Sequence, residues 1–263
     1  MFFIFFLDFF SQLIVKKSVF LQQIFLMKKH IPNIITCCNL VSGCFSILFA
    51  TRGMLEVASM MILLSATFDF FDGFAARMLH VQSPMGVDMD SLADVVSFGV
   101  APTTIAFVFL SQLLGTLPPE VRESWVGILP FCVFVVPALS AFRLARFNHD
   151  ERQHEEFRGL ATPANALFIG FLHFSARSIT VFNNFWVVFA LVLIFAVMLL
   201  TDVPMFSLKF KNFHFKENLV RYIFLFLAAI LLIIFRFGAC PIIILVYILT
   251  SLIRIPIKHY AHE

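Results

Sequence analysis

Runs of about twenty apolar residues recur along the chain, and each is long enough to cross a bilayer core as a helix. Lipid offers no partner to a backbone N–H or C=O, so such a segment folds as a helix or joins a closed barrel. The polar/apolar alternation of barrel strands is absent. Composition points the same way. The chain is 60% hydrophobic and 13% charged, against about half and about a quarter in soluble domains. The expected fold is an all-α integral membrane protein.

Apolar runs and their punctuation predict eight transmembrane helices, at 34–50, 55–78, 90–114, 125–142, 163–179, 185–201, 220–235 and 240–252. An even number places both chain ends on one side. The positive-inside rule then chooses the side. Of 19 Lys and Arg residues, only Arg52, Arg122, Arg177 and Arg236 fall on the opposite face. The expected location is therefore a cell (inner) membrane, multi-pass, with both ends cytoplasmic.

The first 29 residues read as an N-terminal extension. They are rich in Phe, and no small-residue cleavage site follows. Met27 is the preferred start, with the preceding residues as translated upstream sequence. Cys37, Cys38, Cys44, Cys132 and Cys240 show no zinc-ligand spacing and read as small buried hydrophobes. Lys209, Lys211 and Lys216 alternate with Phe206, Phe210, Phe213 and Phe215. That pattern suits an interfacial segment on anionic lipid, or an ordinary positive-inside loop.

Ionised side chains near a bilayer are costly and usually functional. Asp69, Asp72, Asp88, Asp90 and Asp94 surround one connection, and four of them fall in the pattern Asp69-x2-Asp72-Gly73-x2-Ala76-Arg77-x8-Gly86-x3-Asp90-x3-Asp94. Asp69, Asp72, Gly73 and Ala76 form one helical stripe, and Asp90 and Asp94 share a face. Antiparallel packing of the two helices would make four carboxylates converge. Asp88 would point away, to solvent or a cap. Four such groups cannot all stay ionised without cations. Oxygen ligands select hard metals such as Mg²⁺ or Mn²⁺, and paired metals are a recurrent device of phosphoryl transfer. Arg77 could add a fork of donors to a phosphate. The competing class is an ion or solute transporter, but its acids would spread over several helices near the midplane.

This pattern resembles the signature of the CDP-alcohol phosphatidyltransferase family. The resemblance implies a membrane bundle with a six-helix core, usually dimeric, that uses two divalent ions (Mg²⁺ or Mn²⁺) to displace CMP from a CDP-linked lipid. It implies Asp69, Asp72 and Asp90 as principal metal ligands. Asp94 would complete the site and act as the catalytic base. Gly73, Ala76 and Arg77 would line the nucleotide pocket, and Gly86 would allow close approach. Pro32, Asn33, Thr36 and Asn39 look like the family's Pro-Asn-x-x-Thr entry to the CDP-lipid site. Read physically, they could equally be a helix start and an interhelical hydrogen bond. The expected layout is the extension, a catalytic core at 30–201, and a C-terminal membrane segment at 202–263 with two further helices.

The runs Asp90–Pro102, Phe142–Asn148 and Gly159–Asn165 are similar to the phosphatidylserine synthase branch of the family. That similarity implies CDP-diacylglycerol and L-serine as substrates. Ala161 and Asn165 depart from the branch pattern. Arg143 and Arg146 stand one turn apart, and either could fork the serine carboxylate. Asn148 and Thr162 would add neutral polar groups. Residues 149–156 read as a solvated mixed-charge loop. Phosphatidylglycerophosphate or phosphatidylinositol-phosphate synthesis is the nearest alternative. The implied partners are membrane lipid and a second copy of the chain, with no nucleic acid.

Overall fold

The computed structural model describes residue 28 and residues 30–81, 83–149, 159–203, 205 and 215–260. The expected start at Met27, most of the mixed-charge loop and the Lys/Phe stretch before Phe215 lie outside the described residues. Among the described residues there is no strand, and eight helices of ten residues or more follow one another.

They are α1 (His30–Thr51), α2 (Leu55–Met78), α3 (Pro84–Leu114), α4 (Trp125–His149), α5 (Thr162–Ser175), α6 (Phe185–Met198), α7 (Phe215–Phe235) and α8 (Ala239–Tyr260). By length and composition, α1 to α4 are each able to cross a membrane, as is Asn218–Leu252, which combines most of α7 and α8. That last stretch is not one rod. Arg236 has a φ of 51°, a left-handed value that breaks the helix, and α7 and α8 pack on each other. The chain is a multi-pass, all-α membrane protein.

Two helices are shorter than the sequence suggests. The fifth ends at Ser175 rather than near 179, and the sixth at Met198. At 14 residues, α5 is under the roughly 17 a single span needs. Its position explains this. Most of α5 is buried among α2, α3 and α8, so protein rather than lipid surrounds it.

Elsewhere the apolar residues face outward. Phe226 is 70% exposed, Trp125 69% and Ile233 80%. Such surfaces would be untenable in water and are ordinary in lipid. The cysteines follow the same rule, which corrects their reading as buried residues. Cys37, Cys44 and Cys132 are exposed, and Cys38 and Cys240 are half-buried. The apolar solvent for these thiols is the bilayer, not a protein core.

The helices begin where local chemistry allows. Ser83 accepts a hydrogen bond from the Gly86 N–H, and Pro84 occupies the first turn of α3. The third helix therefore starts six residues before the expected Asp90, and Asp88 sits exposed on its outer face. Just past Asp94 the helix widens into a π segment, Val95–Val100, where the Ala101 N–H reaches the Val96 carbonyl. Pro102 follows directly and has no N–H to return to the preceding turn. The wide turn holds Gly99 against α4, where an added Cβ would sit 3.3 Å from the Pro137 Cα.

Small residues set the spacing of α1 and α3. A Cβ placed on Gly43 would lie 2.8 Å from the Ser97 backbone Cα. Gly43→Ala therefore pushes two helices apart. It should lower stability by about 1–3 kcal/mol, seen as a reduced midpoint in thermal unfolding of the detergent-solubilised protein. An unchanged midpoint would mean that the contact is loose.

Candidate functional site

The connection between α2 and α3 folds the two acidic stripes together. Asp69, Asp72 and Asp90 each offer a carboxylate oxygen, and these atoms lie within 4.8 Å of one another. One Asp90 oxygen is buried with no hydrogen-bond partner. Three clustered carboxylates, one with a buried oxygen left unpaired, are an arrangement suited to a hard divalent cation. The donor set fits, since all three are oxygen ligands without sulfur or imidazole.

The expected stripe on α2 is present. Asp72 is buried and Asp69 half-buried, whereas Phe70 and Phe71 between them and Phe74 just beyond face outward. Gly73 and Ala76 lie on the half-buried side. A Cβ on Gly73 would meet only the Arg77 Nη1, at 3.9 Å, so open space remains beside the carboxylates. Arg77 is exposed at the end of α2.

Asp94 stands apart from the three. It lies one turn beyond Asp90 on α3, is buried, and remains within electrostatic reach of Asp69, Asp90 and Asp72. Its Oδ1 accepts a hydrogen bond of 3.2 Å from Asn39 Nδ2.

The first helix supports the cluster from the side. Thr36 Oγ1 contacts Asp72 Oδ2 at 2.8 Å, and the Pro32 carbonyl at 3.1 Å. The backbone carbonyl of Asn39 accepts from Ser65 Oγ at 3.1 Å and Ser97 Oγ at 3.0 Å. One residue of α1 is thereby bonded to both α2 and α3. Asn39 thus makes the kind of interhelical hydrogen bond that the physical reading of that stretch anticipated, and Thr36 adds a second. Asn33 and Gly86 are neighbours, since a Cβ on Gly86 would lie 3.4 Å from Asn33 Oδ1.

The proposed acceptor residues divide. Arg143 is buried, donates from Nη1 to Thr162 Oγ1 at 2.9 Å and interacts electrostatically with Asp94. Its Nε is buried without a partner. Arg146 turns to the outside and pairs with Asp202 at 2.8 Å, with both side chains well exposed. Asn148 donates to Ser91 Oγ at 2.8 Å, tying the end of α4 to α3. The structure therefore places Arg143 and Thr162 together beside Asp94, and sets Arg146 away from them.

Sequence reasoning missed Ser140 and noted Asn165 only as a departure from the branch pattern. Ser140 lies one turn before Arg143, and Asn165 one turn after Thr162. Both are fully buried, and Ser140 Oγ and both amide atoms of Asn165 lack partners. Their spacing from Arg143 and Thr162 was the available signal. Asp202 was missed because it lies beyond α6, 56 positions from Arg146.

Several known proteins are similar to this chain. The chain is 34% identical to the CDP-diacylglycerol–serine O-phosphatidyltransferase of Bacillus subtilis over 150 residues, which is 57% of this chain and 78% of that protein. It is 33% identical to the Mycobacterium leprae protein of the same name over 242 residues, 86% of this chain and 73% of that one. With the Helicobacter pylori protein of that name it shares 32% identity over 140 residues, 52% of this chain and only 54% of the relative. The sequence pattern described as CDP-alcohol phosphatidyltransferase matches residues 29–199. That match takes in every aspartate of the cluster as well as Arg143 and Thr162, and the chain belongs to the CDP-alcohol phosphatidyltransferase family.

Proposed function

We propose that the protein transfers the phosphatidyl group of CDP-diacylglycerol to L-serine, giving phosphatidylserine and CMP. The observation that carries this reading is the grouping of Asp69, Asp72 and Asp90, with Asp94 and Arg143 beside it. The names of the relatives supply the substrates.

Asp69, Asp72 and Asp90 would hold two divalent ions, Mg²⁺ or Mn²⁺, with Asp94 completing the set. When bound, such ions neutralise pyrophosphate oxygens and stabilise the departing CMP. Gly73, Ala76, Arg77 and Gly86, with Pro32 and Asn33, line the CDP-lipid side. The open space beside Gly73 admits a phosphate where a larger residue would fill it. Thr36 and Asn39 position Asp72 and Asp94.

Asp94 acts as the base. Asn39 holds Oδ1, which fixes the carboxyl plane and leaves Oδ2 to take the serine hydroxyl proton. The serine oxygen then bonds to the lipid-bearing β-phosphorus. The bond from that phosphorus to the bridging oxygen breaks, and CMP leaves with the electron pair. Arg143 receives the serine carboxylate. Thr162 sets the angle of the guanidinium, and the unpartnered Nε is the donor left for the substrate. Arg146 and Asn148 serve instead to close the end of α4.

One feature disfavours the phosphate-bearing acceptors. Glycerol phosphate and inositol phosphate call for several cations, and the Arg146–Asp202 pair leaves Arg143 as the inward one of the two. A transporter would move solute across vesicles and release no CMP. The site faces the cytoplasmic side of a cell membrane by the bias of basic residues, and the chain works as a homodimer.

The direct test is CMP release by purified protein with CDP-diacylglycerol and each alcohol in turn. Serine should be strongly preferred, and equal turnover of glycerol phosphate would contradict the assignment. Asp94→Asn should slow serine transfer by about 100-fold or more while the protein remains folded, and near-normal turnover would remove Asp94 as the base. Arg143→Ala should raise the serine KM by about tenfold, with the KM for the CDP-lipid little changed. Arg146→Ala should leave both nearly unaltered. Equal effects of the two substitutions would contradict the division of roles.

A further inference from the structure

The ends of α2, α3 and α5 remote from the carboxylates line an open cavity of about 440 Å³. Met54, Glu56, Phe109, Gln112, His173 and Arg177 contribute to its wall. Glu56 precedes Asp72 by sixteen positions on α2, a rise of about 24 Å. The hydrocarbon core is about 30 Å thick. The cavity and the aspartate cluster therefore lie near opposite faces of the membrane, and the cavity plays no part in the transfer described above.

Its polar groups have a definite chemistry. Arg177 donates to Glu56 Oε1, and its guanidinium also lies over the Phe174 ring at 5.3 Å from the centroid. Both partners of this ion pair are more than half exposed, so a ligand can reach them. Deeper in the wall, His173 is 7% exposed and neither ring nitrogen has a hydrogen-bond partner. It packs against the rings of Phe109 and Phe174. The rest of the wall is largely apolar, with Met54 and Phe109 beside the charged pair.

These features narrow the ligand. A tightly bound metal ion needs three or more protein ligands, and Glu56 and His173 are the only His, Cys, Asp or Glu side chains among the described residues of the wall. A simple anion finds its one cation already neutralised by Glu56. A group carrying both charges can exchange with the pair, its phosphate replacing Glu56 on Arg177 and its ammonium turning to Glu56. Apolar walls at a membrane face suit the acyl chains that follow such a head group.

We propose that this cavity binds the head group of a zwitterionic phospholipid bearing a primary ammonium, on the membrane face opposite the aspartate cluster. Glu56 and Arg177 read the two charges. His173 forms the polar floor beneath them.

The test uses the purified full-length chain in detergent, titrated with phosphatidylethanolamine, with phosphatidylglycerol and with free phosphoethanolamine. Retained lipid is counted by native mass spectrometry. The wild type should retain phosphatidylethanolamine in preference to phosphatidylglycerol. Arg177→Gln should weaken that retention by about tenfold and leave transfer activity in detergent unchanged. Glu56→Gln provides the same comparison should Arg177→Gln fail to fold. Equal retention by wild type and variants, or equal retention of the two lipids, would overturn the proposal. Binding of free phosphoethanolamine without lipid retention would assign the cavity to a soluble ligand and overturn it as well.

Discussion

Mutual repulsion among four aspartates is the constraint around which the rest of this protein is arranged. Asp69, Asp72 and Asp90 bring carboxylate oxygens within 4.8 Å of one another, and Asp94 is buried beside them. In a medium of low dielectric such a cluster is strongly unfavourable unless cations balance it. The chain holds it together through α1, which takes no part in the acidic pattern. Thr36 bonds Asp72, Asn39 bonds Asp94, and the Asn39 carbonyl gathers Ser65 and Ser97. Apolar burial adds little to this, because the surrounding lipid is as apolar as the helices. Close backbone approach and polar contacts carry the specificity instead.

The same economy appears in the spacing of the helices. Gly43 lets α1 approach Ser97, Gly99 lets the π segment approach α4, and Gly170 admits the side chain of Ile62. The wide turn at Val95–Val100 begins directly after Asp94. It changes the angular phase of α3, so residues beyond it follow a different face from those that carry Asp90 and Asp94. At the far end of α4, the Asn148–Ser91 contact ties the helix to α3, and the Arg146–Asp202 pair ties it to the segment after α6.

Much of this was legible in the sequence because two periodicities are strong there. Apolar runs located the eight long helices among the described residues, and the i, i+3, i+4 spacing of Asp69, Asp72 and Gly73 placed two carboxylates on one face. Boundaries set by side-chain capping were harder to read. Ser83 and Pro84 start α3 before its apolar run begins, and α5 is short because protein surrounds it. Pairings across long separations had no local signal, so the turning of Arg146 toward Asp202 was not foreseen, nor the burial of Ser140 and Asn165. Cysteine exposure was misjudged because an apolar side chain in a membrane protein has two places to go.

As proposed, the aspartate cluster is a two-cation site rather than a set of isolated acids. Electron paramagnetic resonance of the purified protein titrated with Mn²⁺ tests it most directly. Two bound Mn²⁺ per chain with mutual spin coupling are expected, with loss of that coupled signal in Asp90→Asn. A single uncoupled ion, or binding that Asp90→Asn leaves unaltered, would contradict it.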